Sequence, residues 1–137
     1  MILLDTHIWF WWVNGSTTSI PAEANNLLAC TPDLGVSVMS CLEMARLVLH
    51  ERIDLELPLS EWFEFALEGS RIQLLPLTPR IAERAVNLPE HHKDPADRVI
   101  IATALERQIR LISLDGQFRR YTELGDCLLP KSESTPA

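Results

Sequence analysis

Ile2-Leu3-Leu4-Asp5 is the stretch that decides how this chain folds: three consecutive apolar residues that end on an acid. A strand apolar at every position, rather than at every second one, is buried on both faces. That is the condition of a parallel strand covered by helices. The pattern recurs along the chain. Gly35-Val36-Ser37-Val38, Ile72 to Leu77 and Arg110 to Leu114 are predicted strands, and Cys127 to Leu129 is a fifth candidate. Helices are predicted between them: through Trp9-Phe10-Trp11-Trp12 to Asn14-Gly15, and from Ser19-Ile20-Pro21 to Cys30. Others run from Ser40 to His50, Ser60 to Glu68, Thr78-Pro79 to Asn87 and Asp94-Pro95 to Gln108. Such alternation defines the α/β class, here a three-layer α/β/α fold with a mostly parallel sheet of four to five strands. The expected domain covers residues 1–130, and the Ser-, Thr- and Pro-containing stretch 131–137 reads as a flexible tail.

At 137 residues and 47% hydrophobic, the chain has enough apolar surface for one core. Twelve Lys+Arg against nineteen Asp+Glu give a net charge of −7, and only Lys93 and Lys131 are lysines. This excludes a histone-like polyelectrolyte binder, which needs basic excess. A nucleic-acid substrate stays open, because a cation held by carboxylates supplies local positive charge. The apolar run Ile8 to Val13 is far short of the roughly 20 residues of a membrane span. Asp5 and His7 interrupt the opening stretch and no basic region precedes it, so neither a signal peptide nor a membrane role is expected. Cys30, Cys41 and Cys127 are odd in number and widely spaced, and read as buried thiols in a reducing cytoplasm.

In open parallel sheets the working crevice lies beyond the carboxyl ends of the strands. Asp5 and Asp115 stand at such ends, and Glu43 and Asp97 stand in the first turn of predicted helices. Each has an ordinary reading. Asp5 starts a turn through its own carboxylate. Ser40-x-x-Glu43 fits a capping box. Asp94 before Pro95 is an N-cap with proline at the first helical position, and Asp97 sits where the helix dipole favours an acid. Asp115-Gly116 makes a turn. Capping does not account for acids at strand ends, however, and predicts no common destination. Carboxylates forced together repel unless a cation neutralises them. An oxygen-only donor set, without a partnering Cys or a spaced His, selects a hard ion such as Mg²⁺ or Mn²⁺. Such a site activates water and stabilises a leaving oxygen in phosphodiester hydrolysis.

With Met1-Ile2-Leu3-Leu4-Asp5-Thr6-His7-Ile8-Trp9, Ser40-x-x-Glu43, Asp94-Pro95-Ala96-Asp97-Arg98-Val99-Ile100-Ile101-Ala102-Thr103-Ala104 and Leu111-Ile112-Ser113-Leu114-Asp115, the chain resembles the PIN-domain nucleases. The likeness is to the VapC-type toxins of toxin–antitoxin pairs, and spans Asp5 to about Leu129. The Asp94–Ala104 block is its most specific part. The resemblance implies a Mg²⁺- or Mn²⁺-dependent endoribonuclease in which Asp5, Glu43 and Asp97 match the core acids. Asp115 matches a more variable fourth acid, and Thr6 and Ser113 match polar positions beside the site. Asp94 belongs to the motif as well, with the role of positioning the helix. Gly116-Gln117, after Asp115, is less basic than usual in that family. The likeness further implies an RNA substrate, a neutralising antitoxin laid into a groove near the site, and a homodimer.

Arg46, Arg98, Arg119 and Arg120 are candidate phosphate contacts, against the plainer reading of surface arginines packed along their stems. His7 reads as a structural histidine and His91-His92 as a loop. Trp9, Trp11 and Trp12 divide between core and a protein interface, with base stacking a third reading. Glu61, Glu64 and Glu68, at helical spacing, form a solvated face or a patch for a basic partner. Two other functions compete. A haloacid-dehalogenase- or receiver-like phosphoryl-transfer domain also places Asp after its first strand. It calls for a second acid two residues on, or a lysine near the site; position 7 is His and Lys93 falls in a loop. A PIN scaffold that binds RNA or protein without cutting is the other.

Overall fold

The first strand, β1 (Ile2–Leu4), lies at the centre of a five-stranded sheet in which every pairing is parallel. The computed structural model describes residues 1–91 and 93–131; His92 and the expected tail from 132 onward lie outside the described residues. After β1 come helices α1 (Thr6–Val13) and α2 (Ala22–Cys30), strand β2 (Leu34–Ser37) and helix α3 (Val38–Leu49). Helix α4 (Leu59–Glu64) continues into a wider π turn (Phe65–Gly69) before strand β3 (Ile72–Leu75). Helices α5 (Pro79–Asn87) and α6 (Pro95–Arg107) lead to strand β4 (Arg110–Ile112). Two 3₁₀ segments, Gly116–Arg120 and Thr122–Cys127, precede the short β5 (Leu128–Leu129).

Alternate strand residues feed two cores. Ile2, Leu4, Leu34, Val36, Ile72, Ile112 and Leu129 pack with Trp9 of α1, Leu28 of α2, Met44 of α3 and Trp62 of α4. On the other face, Leu3, Leu75, Leu111 and Leu128 pack with α5, α6 and the aromatic residues Phe118 and Tyr121. This is the expected three-layer arrangement, and the apolar run of β1 follows from it, whereas the edge strand β3 leaves Gln73 and Leu74 exposed. The tryptophans divide as their burial requires. Trp9 and Trp62 are both buried with ring centroids 5.0 Å apart, while Trp11 and Trp12 are half-buried. Each buried indole N–H has an acceptor, Ala66 O at 3.0 Å for Trp9 and Asn14 Oδ1 at 3.1 Å for Trp62. A buried aromatic pair of this kind contributes roughly 0.5–1.5 kcal/mol beyond its area.

The sheet order is β3-β2-β1-β4-β5. The chain winds outward from β1 to β3, then returns to lay β4 on the other side of β1. That reversal puts a crevice beyond the carboxyl ends of β1 and β4. Several element ends differ from the sequence reading. Strand β2 stops at Ser37 because the Ser37 hydroxyl accepts the Met39 N–H, at 3.0 Å, and starts α3 three residues before Ser40. Strand β3 stops at Leu75, ahead of Pro76, which has no N–H for the ladder. Pro21 and Pro58 stand at the N-caps of α2 and α4, so Pro21 is not in the first turn and Ser60 is not a cap. The cysteines are also less buried than expected: Cys30 is exposed, Cys41 and Cys127 are half-buried, and all three are free thiols.

Candidate metal centre

Three carboxylates meet at the crevice. Asp5 follows β1, Glu43 lies in the second turn of α3, and Asp97 lies in the first turn of α6. One oxygen from each falls within 4.8 Å of the others, and Asp5 and Asp97 are each only 8% exposed. The topology explains the meeting. Helix α3 starts directly from the end of β2, and α6 must begin at this rim to run back and feed β4. Both helix starts therefore stand beside the end of β1.

Each acid is held by its neighbours. Asp5 caps α1 by accepting the Thr6 N–H at 2.8 Å, and its second oxygen accepts the Ser113 hydroxyl at 2.7 Å. Ser113 in turn accepts the Asp115 N–H at 3.1 Å, which ties the ends of β1 and β4 together. The Thr6 hydroxyl donates to Glu43. A hydroxyl has one proton, so the 2.8 Å contact between Thr6 Oγ1 and Ser40 Oγ has Ser40 as donor. The expected capping box is thus corrected: Ser37 takes the cap, and Ser40, fully buried, supports the acid site through Thr6.

Asp94 does cap α6, accepting the Ala96 N–H at 3.0 Å, with Pro95 at the first helical position. Asp115 caps the 3₁₀ segment after β4 through the Gln117 N–H at 2.9 Å. Both line the same cleft as the three acids, which has a volume of about 490 Å³. Trp11 and Leu114 also line it. His7 is exposed rather than structural, with its ring 5.6 Å from that of Trp11. His91 packs against the edge of Tyr121 at 4.9 Å.

The electrostatics are those of a crowded anionic site. Burial pushes the Asp5 carboxyl above its ordinary range, against the opposing hydrogen bonds from Ser113 and Thr6 and the field of His7. Asp97 is pushed up to about 8, first by burial and then by Glu43, Asp5, Asp94 and Asp115. Without a cation the cluster favours holding a proton at neutral pH. The donor set fits a hard divalent ion: three carboxylate oxygens gathered within 4.8 Å of one another, with no thiolate or imidazole among them.

The arginines separate sharply. Arg46 is exposed on α3, one turn beyond Glu43. Arg98 is corrected from a phosphate contact to a helix cap. Its guanidinium donates to the carbonyls of Ala85 at 3.1 Å, Val86 at 3.2 Å, Leu88 at 2.7 Å and Pro89 at 3.0 Å, closing the end of α5. Arg119 and Arg120 are exposed; Arg119 donates to the Pro130 carbonyl and Arg120 to Gln117 Oε1 at 3.3 Å.

A PIN domain family model matches residues 2–124. The chain belongs to the PIN domain family. Among curated relatives, Ribonuclease VapC22 of Mycobacterium tuberculosis is 34% identical over 121 residues, covering 88% of this chain and 91% of that protein. Among solved structures, a toxin–antitoxin complex from Klebsiella pneumoniae superposes with a TM-score of 0.61. It is 21% identical, with 94% of this chain and 96% of that one covered, and shares the fold. The haloacid-dehalogenase and receiver alternatives fall with this result.

Proposed function

We propose that this chain is a VapC-type toxin, an endoribonuclease that hydrolyses RNA phosphodiester bonds with Mg²⁺ or Mn²⁺ and is neutralised by a cognate antitoxin. The observation that carries the reading is the convergence of Asp5, Glu43 and Asp97, from three separated segments, within 4.8 Å. The likeness to a ribonuclease over most of both chains supports the same chemistry. Asp5, Glu43, Asp97 and Asp115 are the proposed metal-binding and catalytic set. A bound divalent ion supplies charge neutralisation and Lewis acidity at the scissile phosphate.

The chain's own groups do the rest. Ser113 and the Thr6 N–H aim the two oxygens of Asp5, and Thr6 with Ser40 fixes Glu43. Asp94 sets the start of α6 and hence the place of Asp97. Asp97 holds a proton in the metal-free protein and releases it on loading, which makes loading favourable at higher pH. Asp115 adds a fourth carboxylate at the rim. The reaction is in-line attack of water on phosphorus, without a covalent enzyme intermediate. Arg46, Arg119 and Arg120 are the candidate RNA contacts that remain.

Within this reading, residues 1–130 form one domain, the chain forms homodimers, and it works in the cytoplasm. No helix among the described residues is long and apolar enough to cross a membrane. The test is incubation of the purified protein with structured RNAs in Mn²⁺ or in EDTA, beside Asp97→Asn. Cutting that needs Mn²⁺ and is lost in the variant is expected. Metal-independent cutting, or equal activity in the variant, overturns the reading; RNA binding without cutting favours a non-cleaving scaffold.

A further inference from the structure

A second groove opens directly off the acid cleft. It shares Thr6, His7, Glu43 and Asp94 with that cleft, has a volume of about 300 Å³, and is also lined by Arg46, His50 and Arg52. Glu43, Arg46 and His50 stand at positions i, i+3 and i+7 of α3 and its cap, so they share one helical face. Arg46 lies ~4.5 Å and His50 ~10.5 Å along the axis from Glu43. The face therefore leads straight out of the acid cluster.

Arg52 arrives by a different route. The Arg52 N–H donates to the Leu47 carbonyl at 2.8 Å, and the Glu51 N–H to Val48 at 3.0 Å, a Schellman turn that folds the chain back after α3. The turn requires left-handed backbone at Glu51, φ 57°, a conformation that glycine adopts far more readily. The chain thus keeps a strained non-glycine residue where the turn brings Arg52 into the groove. Ion pairing elsewhere sharpens the contrast. Arg84 and Arg80 face Glu106, and Arg98 is spent on the end of α5, whereas among the described residues no ion pair engages Arg46 or Arg52. In a chain of net charge −7, this is a cationic strip at the mouth of the candidate site.

We infer that the groove is a phosphate-backbone subsite, in which Arg46, Arg52 and His50 hold the RNA strand on one side of the phosphate to be cut. This rests on the proposed ribonuclease reading and names where its substrate runs. The strip contacts backbone rather than base edges, so it binds single-stranded RNA with little regard to sequence.

The experiment measures binding apart from cutting. A fluorescently labelled single-stranded RNA is titrated with wild type, Arg46→Gln/Arg52→Gln and Arg46→Lys/Arg52→Lys in Ca²⁺, across a salt series. The Gln pair is expected to bind roughly tenfold more weakly, and its log K against log salt to lose about 0.7 of slope per arginine removed. The Lys pair, which keeps the charge, is expected to retain most of the slope. Thermal midpoints and Mn²⁺ affinity are expected to match wild type in both. Unchanged affinity and slope in the Gln pair overturn the subsite and leave the groove to a protein partner. A wild type that binds RNA with this salt dependence but never cuts it in Mn²⁺ overturns the ribonuclease reading and supports the subsite.

Discussion

Two acidic regions of this molecule carry similar residues and opposite physics. Asp5, Glu43 and Asp97 are separated by tens of positions in sequence and lie within 4.8 Å in space, two of them buried. Glu61, Glu64 and Glu68 are neighbours in sequence, share one helical face and are exposed. The first group is destabilised by its own charge and calls for a cation; the second is relaxed by water and does not. Net charge sums over both and describes neither, which is why −7 does not argue against an anionic substrate.

The comparison breaks most easily at its first member. Asp97→Asn and Asp5→Asn are expected to lower RNA cleavage in Mn²⁺ by on the order of 10²–10³ or more, the scale of losing a transition-state charge stabiliser. The Glu61→Gln/Glu64→Gln/Glu68→Gln variant is expected to stay within a few-fold of wild type, because surface charges away from the site act weakly through screened fields. Comparable losses in the two sets would erase the distinction.

A smaller effect is expected one bond further out. Ser113→Ala removes the hydroxyl that aims Asp5, and Ser40→Ala removes the donor behind Thr6 and Glu43. Each is expected to weaken Mn²⁺ affinity roughly 10–100-fold, the usual scale for groups that orient metal ligands, and calorimetric titration reads it directly.

The pH dependence of stability sharpens the same contrast. Asp97 has a folded-state pKa of about 8, above the 3.8 of an unperturbed Asp. The native state therefore binds more protons than the unfolded one between those values, and stability falls as pH rises through that window. Metal-free protein is expected to show a falling thermal midpoint from about pH 4 to about pH 8. Asp97→Asn should flatten this slope, and Mn²⁺ should restore the midpoint most at the alkaline end. A slope unchanged in the variant would place the titration elsewhere. The smallest effect is structural: Ser37→Ala removes the α3 cap and is expected to cost about 1 kcal/mol, a few degrees in thermal midpoint.

The strands are legible in the sequence because a doubly buried strand needs apolar residues throughout, and Ile2-Leu3-Leu4 and Leu111-Ile112 have them. Asp5 stands out for a related reason: a carboxylate placed directly after such a strand is costly to keep there unless something neutralises it, whereas Glu43 and Asp97, near helix starts, look singly like ordinary helix-start acids. Which serine caps α3 is not legible. Ser37 and Ser40 both precede a plausible helix, and only the position of β2 decides that Ser37 turns the chain, leaving Ser40 for Thr6. Arg98 departs from the sequence reading for the same kind of reason. Its neighbour Asp97 points into the cleft, but one residue along a helix is a rotation of about 100°, which carries the guanidinium to the end of α5.

The central claim, that buried and convergent acids rather than acidity in general make the site, is tested most directly by calorimetric titration of Mn²⁺. Wild type, Asp97→Asn and the Glu61/Glu64/Glu68 variant are compared at about pH 8, where Asp97 gives up its proton. Saturable binding that is lost in Asp97→Asn and intact in the triple variant is the expected result. Binding that survives in Asp97→Asn, or falls away with the three surface glutamates, contradicts the account.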